Sequence, residues 1–289
     1  MKYEIRNLAK EYWPEGLNEI PQPPTRLWIV GDFPDSENLI YLSVVGSRKF
    51  TTYGKEVCEK LIAGLKGYPI VIVSGLAMGI DAIAHKKALE VGLRTVVFPG
   101  SGLSLKAMYP KTNVKLAEEI VRSGGCLISE FDPDFKATLW SFGKRNRLMA
   151  GISKAVLIIE AAEKSGTLIT ARLATEYNRD VLAVPGSIFS PNAKGTNQLL
   201  RLGATPITCV DDLLDALGFK KETDVDKQQK LFADLSPEEK NVIKILHEPM
   251  PRNELIRTLK IGTQNANSLL SIMEIKGLIK EEMGEIRLG

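Results

Sequence analysis

The sequence predicts a doubly wound α/β domain on a mostly parallel sheet, followed by a small, mainly helical tail domain. Short apolar runs recur: "LIYLSVVGSR", "PIVIVSGLAMG", "RTVVFPGSG", "CLISE", "AVLIIEAAEKSG" and "VLAVPGS". Runs that are apolar at nearly every position suit strands covered on both faces. Each ends at Gly or a small polar residue and leads into a helical pattern, as a strand–crossover–strand unit requires. A charged stretch then interrupts the chain, and a new helical pattern starts beyond it.

The elements follow in order. Residues 1–35 form a lead-in rather than a complete domain: "NEIPQPPTRLWIVGDF" is stiffened by prolines and holds one short apolar strand, expected at the edge of the main domain. Residues 36–218 form the α/β domain. Within it "IDAIAHKKALEV" shows the helical spacing, with Ile80, Ala84, Ala88 and Val91 on one stripe and Lys86, Lys87 and Glu90 off it. Residues 219–233, containing "KKETDVDKQQK", have the composition of a solvated linker.

The tail, 234–289, opens at Ser236, an N-cap with Pro237 at the first helical position and Glu239 completing a capping box. Helices are expected over "RNELIRTL" and "TQNANSLLSIMEIKG", the latter burying Ala266, Leu269, Leu270 and Met273 and stopping at Gly277. A hairpin over "LIKEEMGEIRL", turning at Gly284-Glu285, completes a winged-helix-like pattern.

Composition narrows the function classes. The 289 residues carry 38 basic and 35 acidic side chains, a formal charge of +3, so any anion site must be local. Cys58, Cys126 and Cys209 form no metal-ligand or disulfide spacing, and only two histidines are present. No metal, cofactor or catalytic constellation is expected. The N-terminus lacks a leader pattern and no stretch is apolar enough to span a bilayer, which together point to the cytoplasm and away from membranes.

In a parallel sheet, ligands bind beyond the carboxyl ends of the strands, so "GSRKFTTYG", "SGLAMGID", "PGSGLSLKAMYP" and "EKSGTLITA" share one rim. Their glycines admit backbone close to a ligand, and their hydroxyls and helix starts suit phosphate. None is a dinucleotide or P-loop fingerprint. Asp81 and His85, four apart on one helix face, read more simply as a dipole-offsetting acid and a satisfied core histidine than as an acid–base pair. Downstream, Phe135 to Ile159 carries Lys136, Lys144, Arg145, Arg147 and Lys154 with no Asp or Glu among them, and Trp140 and Phe142 precede the Lys-Arg-Asn-Arg stretch. Cations beside aromatic faces suit single-stranded nucleic acid. Read with strand parity, Trp140 and Phe142 face one way, unless one of them is core.

These motifs, with "SEF", "RNRLMAG" and "VPGS", resemble the DNA-processing protein A (DprA, or Smf) family over the whole α/β domain. The resemblance implies an extended Rossmann-like fold and a dimeric binder of single-stranded DNA. Such proteins protect incoming DNA in natural transformation and load a RecA-type recombinase. The family's phosphate-gripping arginine falls on Arg48, its basic residue after Tyr-Pro on Lys111 and its aromatic before Arg-Asn-Arg on Phe142. The candidate contacts are Gly46, Ser47, Arg48, Lys49, Lys111, Phe142, Lys144, Arg145, Asn146, Arg147, Ser165 and Gly166. Arg147 has a second reading, that it orients Glu130.

Two departures stand out. "FGKRNR" has Gly143 where the family commonly has proline, implying a more mobile loop, and the helical N-terminal domain of many relatives has no counterpart here. Self-association is expected through "NQLLRLGATPITCVDDLLDAL". The tail, whose charges balance, is expected to add little to DNA affinity. An alternative reading is a Rossmann-like nucleoside monophosphate phosphoribohydrolase of the lysine-decarboxylase-like group. "PGSGLS" lacks that group's glycine pair and following glutamate.

Overall fold

The computed structural model describes residues 3–34, 38–219, 235–246, 248–276, 278–282 and 284–288. The segment expected as a linker lies outside them apart from Phe219, as does Gly277. The chain divides into two units, residues 1–220 and 221–289.

In the first unit the elements run β1 (Arg6–Asn7), α1 (Glu15–Glu19), β2 (Trp28–Gly31), β3 (Ile40–Val45), α2 (Thr52–Ala63), β4 (Ile70–Ser74), α3 (Ile80–Glu90), β5 (Thr95–Val97), α4 (Val114–Arg122) and β6 (Cys126–Ser129). They continue with α5 (Leu139–Ile152), β7 (Ala155–Ile158), α6 (Thr167–Glu176), β8 (Asp180–Ala183), α7 (Lys194–Arg201), β9 (Thr205–Pro206) and α8 (Val210–Ala216). Among the described residues these strands make one sheet in the order β1-β2-β6-β5-β4-β3-β7-β8-β9. The expected α/β class is therefore observed, and each apolar run quoted above is a strand. Pairing is parallel from β6 through to β9; the two pairings made by the lead-in, β1 with β2 and β2 with β6, are antiparallel.

Burial on both faces explains the continuous apolar runs. Along β4, Val71 and Val73 join a core with Leu148, Met149 and Ile152 of α5, while Ile70 and Ile72 join Cys58, Leu61 and Ile62 of α2 on the other side. A third cluster packs Val30, Val97 and Leu127 under Leu116, Ile120 and Val121 of α4. Strand order reverses at β3, which has β4 on one side and β7 on the other. The crevice where ligands enter such sheets thus opens between the loop after β3 and the loop after β7.

The run from Trp140 to Arg147 departs from the strand reading. It lies within α5, opened by Thr138, whose amide donates to Ser141 Oγ at 3.0 Å. "FGKRNR" is accordingly helix rather than loop, and Gly143 has open space where a side chain would stand.

The second unit holds α9 (Pro237–Ile245), β10 (Met250–Pro251), α10 (Arg252–Leu259), α11 (Thr263–Ile275), β11 (Ile279–Glu282) and β12 (Glu285–Leu288). Its strands pair in the order β10-β12-β11, with Glu282 opposite Glu285 and Gly284 at φ +82 in the turn. Ser236 caps α9 and shares the expected capping box with Glu239. Val242, Leu255, Ala266, Leu270 and Met273 form its core.

Candidate functional site

The loop after β3 carries Gly46 to Lys49 and is closed by its own side chain: Ser47 Oγ donates to the Lys49 carbonyl at 2.9 Å and accepts from the Lys49 amide at 3.1 Å. Asn192 Nδ2, from the loop before α7, donates to the same carbonyl at 2.6 Å. The Ser47 hydroxyl is thus engaged in the turn, which leaves the exposed Arg48 and Lys49 side chains as the groups this loop presents.

Close backbone approach sets the loop's height. A Cβ on Gly46 would strike Ile80 at 2.7 Å, and one on Gly79, at φ +89, would lie 2.4 Å from the Ser47 carbonyl and 2.8 Å from Arg48 Cα. Across the crevice, Thr167 Oγ1 at the start of α6 donates to the Gly46 carbonyl at 3.2 Å. Ser165 Oγ accepts from the Thr167 amide at 3.2 Å, and Gly166 is exposed beside it. Gly46, Ser165 and Gly166 therefore meet at the strand-order reversal.

Arg48 extends from this loop onto Phe142, its guanidinium carbon 5.1 Å from the ring centre, within cation–π range. Tyr109 lies against the other part of that ring, centroids 5.8 Å apart, and Gly75, Ala77, Met78 and Pro110 complete the cleft. A Cβ on Gly100 would sit 2.4 Å from the Phe142 ring, so the ring lies directly on backbone. Tyr109 was not singled out from sequence, although it stands two residues before Lys111. Lys111 Nζ donates to the carbonyls of Leu105 and Lys106 at 2.9 and 2.7 Å, leaving one ammonium proton for an anion.

Four residues of the expected set, Lys144 to Arg147, are not on this surface. Arg145 is 4% exposed: it donates to the Gly75 carbonyl at 2.8 Å and to the Phe98 carbonyl, and its Nε to Asn146 at 3.1 Å. Burial pushes its guanidinium down to about 10 against the opposing pull of Asp81, with Arg48 adding to the depression. Asp81 accepts from the Gly75 amide at 3.1 Å, and its own burial raises its carboxyl in spite of Arg145. Asn146 is likewise enclosed. Arg147 is buried on Glu130, as its second reading had it. A helix turns about 100° per residue, so a run of consecutive cations cannot stay on one face, and the fold keeps two of them inside. Lys144 remains exposed, 3.4 Å from Glu130 and away from Phe142.

His85 is fully buried in the core as expected, but only half satisfied: Nδ1 is hydrogen-bonded with Thr95 Oγ1 at 2.7 Å, while Nε2 has no partner. Among the described residues no His, Cys, Asp and Glu cluster has the make-up of a metal site, and no helix is long and apolar enough to cross a membrane. Further along the same rim a cavity of about 590 Å³ is walled by Thr51, Tyr53, Glu160, Pro185 and Ser187. There Glu160 accepts from the Thr51 amide at 3.0 Å and from its hydroxyl, fixing the start of α2. A hollow of about 380 Å³ at the opposite ends of the strands is lined by Glu15, Glu19, Asp180, Lys154 and Arg179, a set of mixed charge.

A family model described as DNA recombination-mediator protein A matches residues 4–218. Protein Smf of Escherichia coli (strain K12) is 35% identical over 232 residues, 80% of this chain; the aligned part spans 61% of that protein's length. The X-ray structure of DNA processing protein A from Streptococcus pneumoniae, 36% identical, superposes over 74% of each chain with a TM-score of 0.67. DNA processing protein A from Helicobacter pylori, whose structure is described as giving insight into its single-stranded DNA binding mode, is 32% identical. It covers 74% of this chain and 96% of its own, also at a TM-score of 0.67. Because the matched residues run from β1 to α8 and include every loop of the rim, the chain belongs to the DNA recombination-mediator protein A family.

Proposed function

We propose that this chain binds single-stranded DNA along the rim, shields it, and hands it to a RecA-type recombinase. It acts in the cytoplasm as a homodimer and as a binding protein, without catalysing a bond change. Family membership and the binding mode described for the Helicobacter pylori relative support the ligand class. The observation that carries the reading is the Arg48 guanidinium laid over the half-buried Phe142 ring, with Lys49 and Lys111 exposed nearby in sequence and loop. A cation and a flat apolar face presented together suit a phosphate and its unpaired base, whereas a duplex keeps its bases stacked inside.

Self-association is assigned to the α7–β9 region. Ile207, Leu213 and Leu217 of the expected segment are in the core, which leaves Leu202, 72% exposed, as its outward apolar group. Anisotropy titrations with single-stranded and duplex oligonucleotides at two salt concentrations test the central reading. Single strand should bind at least about tenfold tighter, with affinity falling as salt rises and counterions compete. Equal affinity for the two forms, or indifference to salt, overturns it.

A further inference from the structure

Trp140 stands 56% exposed at the start of α5, beside Leu139 at 93%. It does not droop onto the surface. Phe131 and Phe135, stacked on each other at 4.6 Å, meet its ring edge-on at 5.7 and 5.6 Å and hold it upright. One helical turn on, the Lys144 ammonium lies 5.9 Å from the Trp140 ring centre and 5.7 Å from that of Phe131. Two residues along a helix are about 200° apart. Trp140 consequently faces away from Phe142 and takes no part in the Arg48 cleft.

The patch is small and positive. Two of its acids are met by cations: Asp132 lies 3.5 Å from Arg26, and Glu130 is shared by Arg147 and Lys144, so with exposed Lys136 the cations outnumber Glu130, Asp132 and Asp134. An aromatic side chain covers about 200 Å², well short of the roughly 800 Å² per partner that a stable protein interface buries. One base, by contrast, needs one ring face and a nearby cation.

Building on the single-strand reading above, we propose that Trp140, braced by Phe131 and Phe135 and flanked by Lys144, is a second stacking station for an unpaired base. It takes the same DNA strand on the flank of α5 opposite Phe142. The ligand is an unpaired nucleotide of any sequence, since every base has a flat face.

Tryptophan emission and anisotropy together test it. Trp13 is buried and Trp28 half-buried, so Trp140 is the exposed one of the three tryptophans. Oligothymidine should quench the emission of the wild-type chain, Trp140→Phe should remove that quench while retaining most affinity, and Trp140→Ala should weaken binding about tenfold. Because the side chain packs outside the core, the fold should survive both changes; far-ultraviolet dichroism checks this. Wild-type binding that is salt-sensitive, with Trp140→Ala within about twofold of it, overturns the station and leaves the Arg48 site standing. A wild-type chain that fails to bind oligothymidine overturns the single-strand reading itself, and the station with it.

Discussion

The Arg48 guanidinium and the Phe142 ring pack together although they come from distant parts of the chain, one from the loop after β3 and the other from α5. Arg48→Ala should therefore reduce single-strand affinity and also flatten its dependence on salt by about 0.7 in the logarithmic slope, one phosphate's worth for a single strand. Phe142→Ala should cost about 1–3 kcal/mol while leaving that slope nearly unchanged. Titrations at several salt concentrations separate the two; a wild-type slope in the Arg48 variant would place the phosphate elsewhere.

Arg145 behaves differently from Arg48 because it is enclosed. Arg145→Ala leaves the Asp81 carboxylate and two carbonyls without their cation and should destabilise the fold by about 3–5 kcal/mol. Arg48→Ala should leave the urea midpoint near wild type, since its side chain is exposed. If the two variants unfold at the same urea concentration, Arg145 is not the internal brace described here.

His85 makes the fold sensitive to mild acid. Thr95 Oγ1 donates to the Ile72 carbonyl at 2.8 Å and so accepts from His85 Nδ1, leaving the buried Nε2 unpaired. Burial, reinforced by the Arg145 charge, pushes the imidazole down to about 3. An unfolded histidine binds its proton near 6.5. Between these values the unfolded chain holds a proton that the folded one refuses, so stability is complete above the upper value and drains away as pH falls towards the lower. Urea melts at about pH 7 and about pH 5 should show this loss, and His85→Asn, which keeps a donor for Thr95, should lessen it. An unaltered pH response in that variant would falsify the assignment.

The tail should contribute little to gripping DNA. Arg252 is paired with Glu281 at 2.7 Å and Lys276 with Glu239 at 2.6 Å, which neutralises cations that a phosphate would need. Deleting the residues after 221 should keep oligonucleotide affinity within about threefold, under ~0.7 kcal/mol. A loss of about tenfold or more would give the tail a direct role.

Strands were legible in the sequence because those of a parallel sheet are apolar at successive positions, and "PIVIVSG" leaves no other reading once Gly ends it. The rim followed from the strands, and with it Gly46, Arg48 and Ser165. Over residues 139–147 the sequence pattern misleads for two physical reasons. Strand parity puts Trp140 and Phe142 on one face, whereas helical periodicity governs here and their neighbours, Phe131 and Arg48 respectively, lie on different flanks. The partners that enclose Arg145 stand 70 and 47 residues away in the chain, at Gly75 and Phe98, beyond the reach of any local pattern. Leu148, Met149 and Ile152, spaced for a buried helical face, were the signal that could have corrected both.

The central position of β3 also bears on how the chain reaches this state. Leu42 is hydrogen-bonded in register between Ile72 on one side and Ala155 on the other, and β2 waits for β6 in the same way. Closing such distant pairings is entropically slow, and a chain emerging from the ribosome holds one apolar edge of β3 open until β7 has been made. The interval of greatest exposure to aggregation and to chaperones therefore falls during synthesis of the segment between those two strands, before the crevice that carries Gly46 and Ser165 has a second wall.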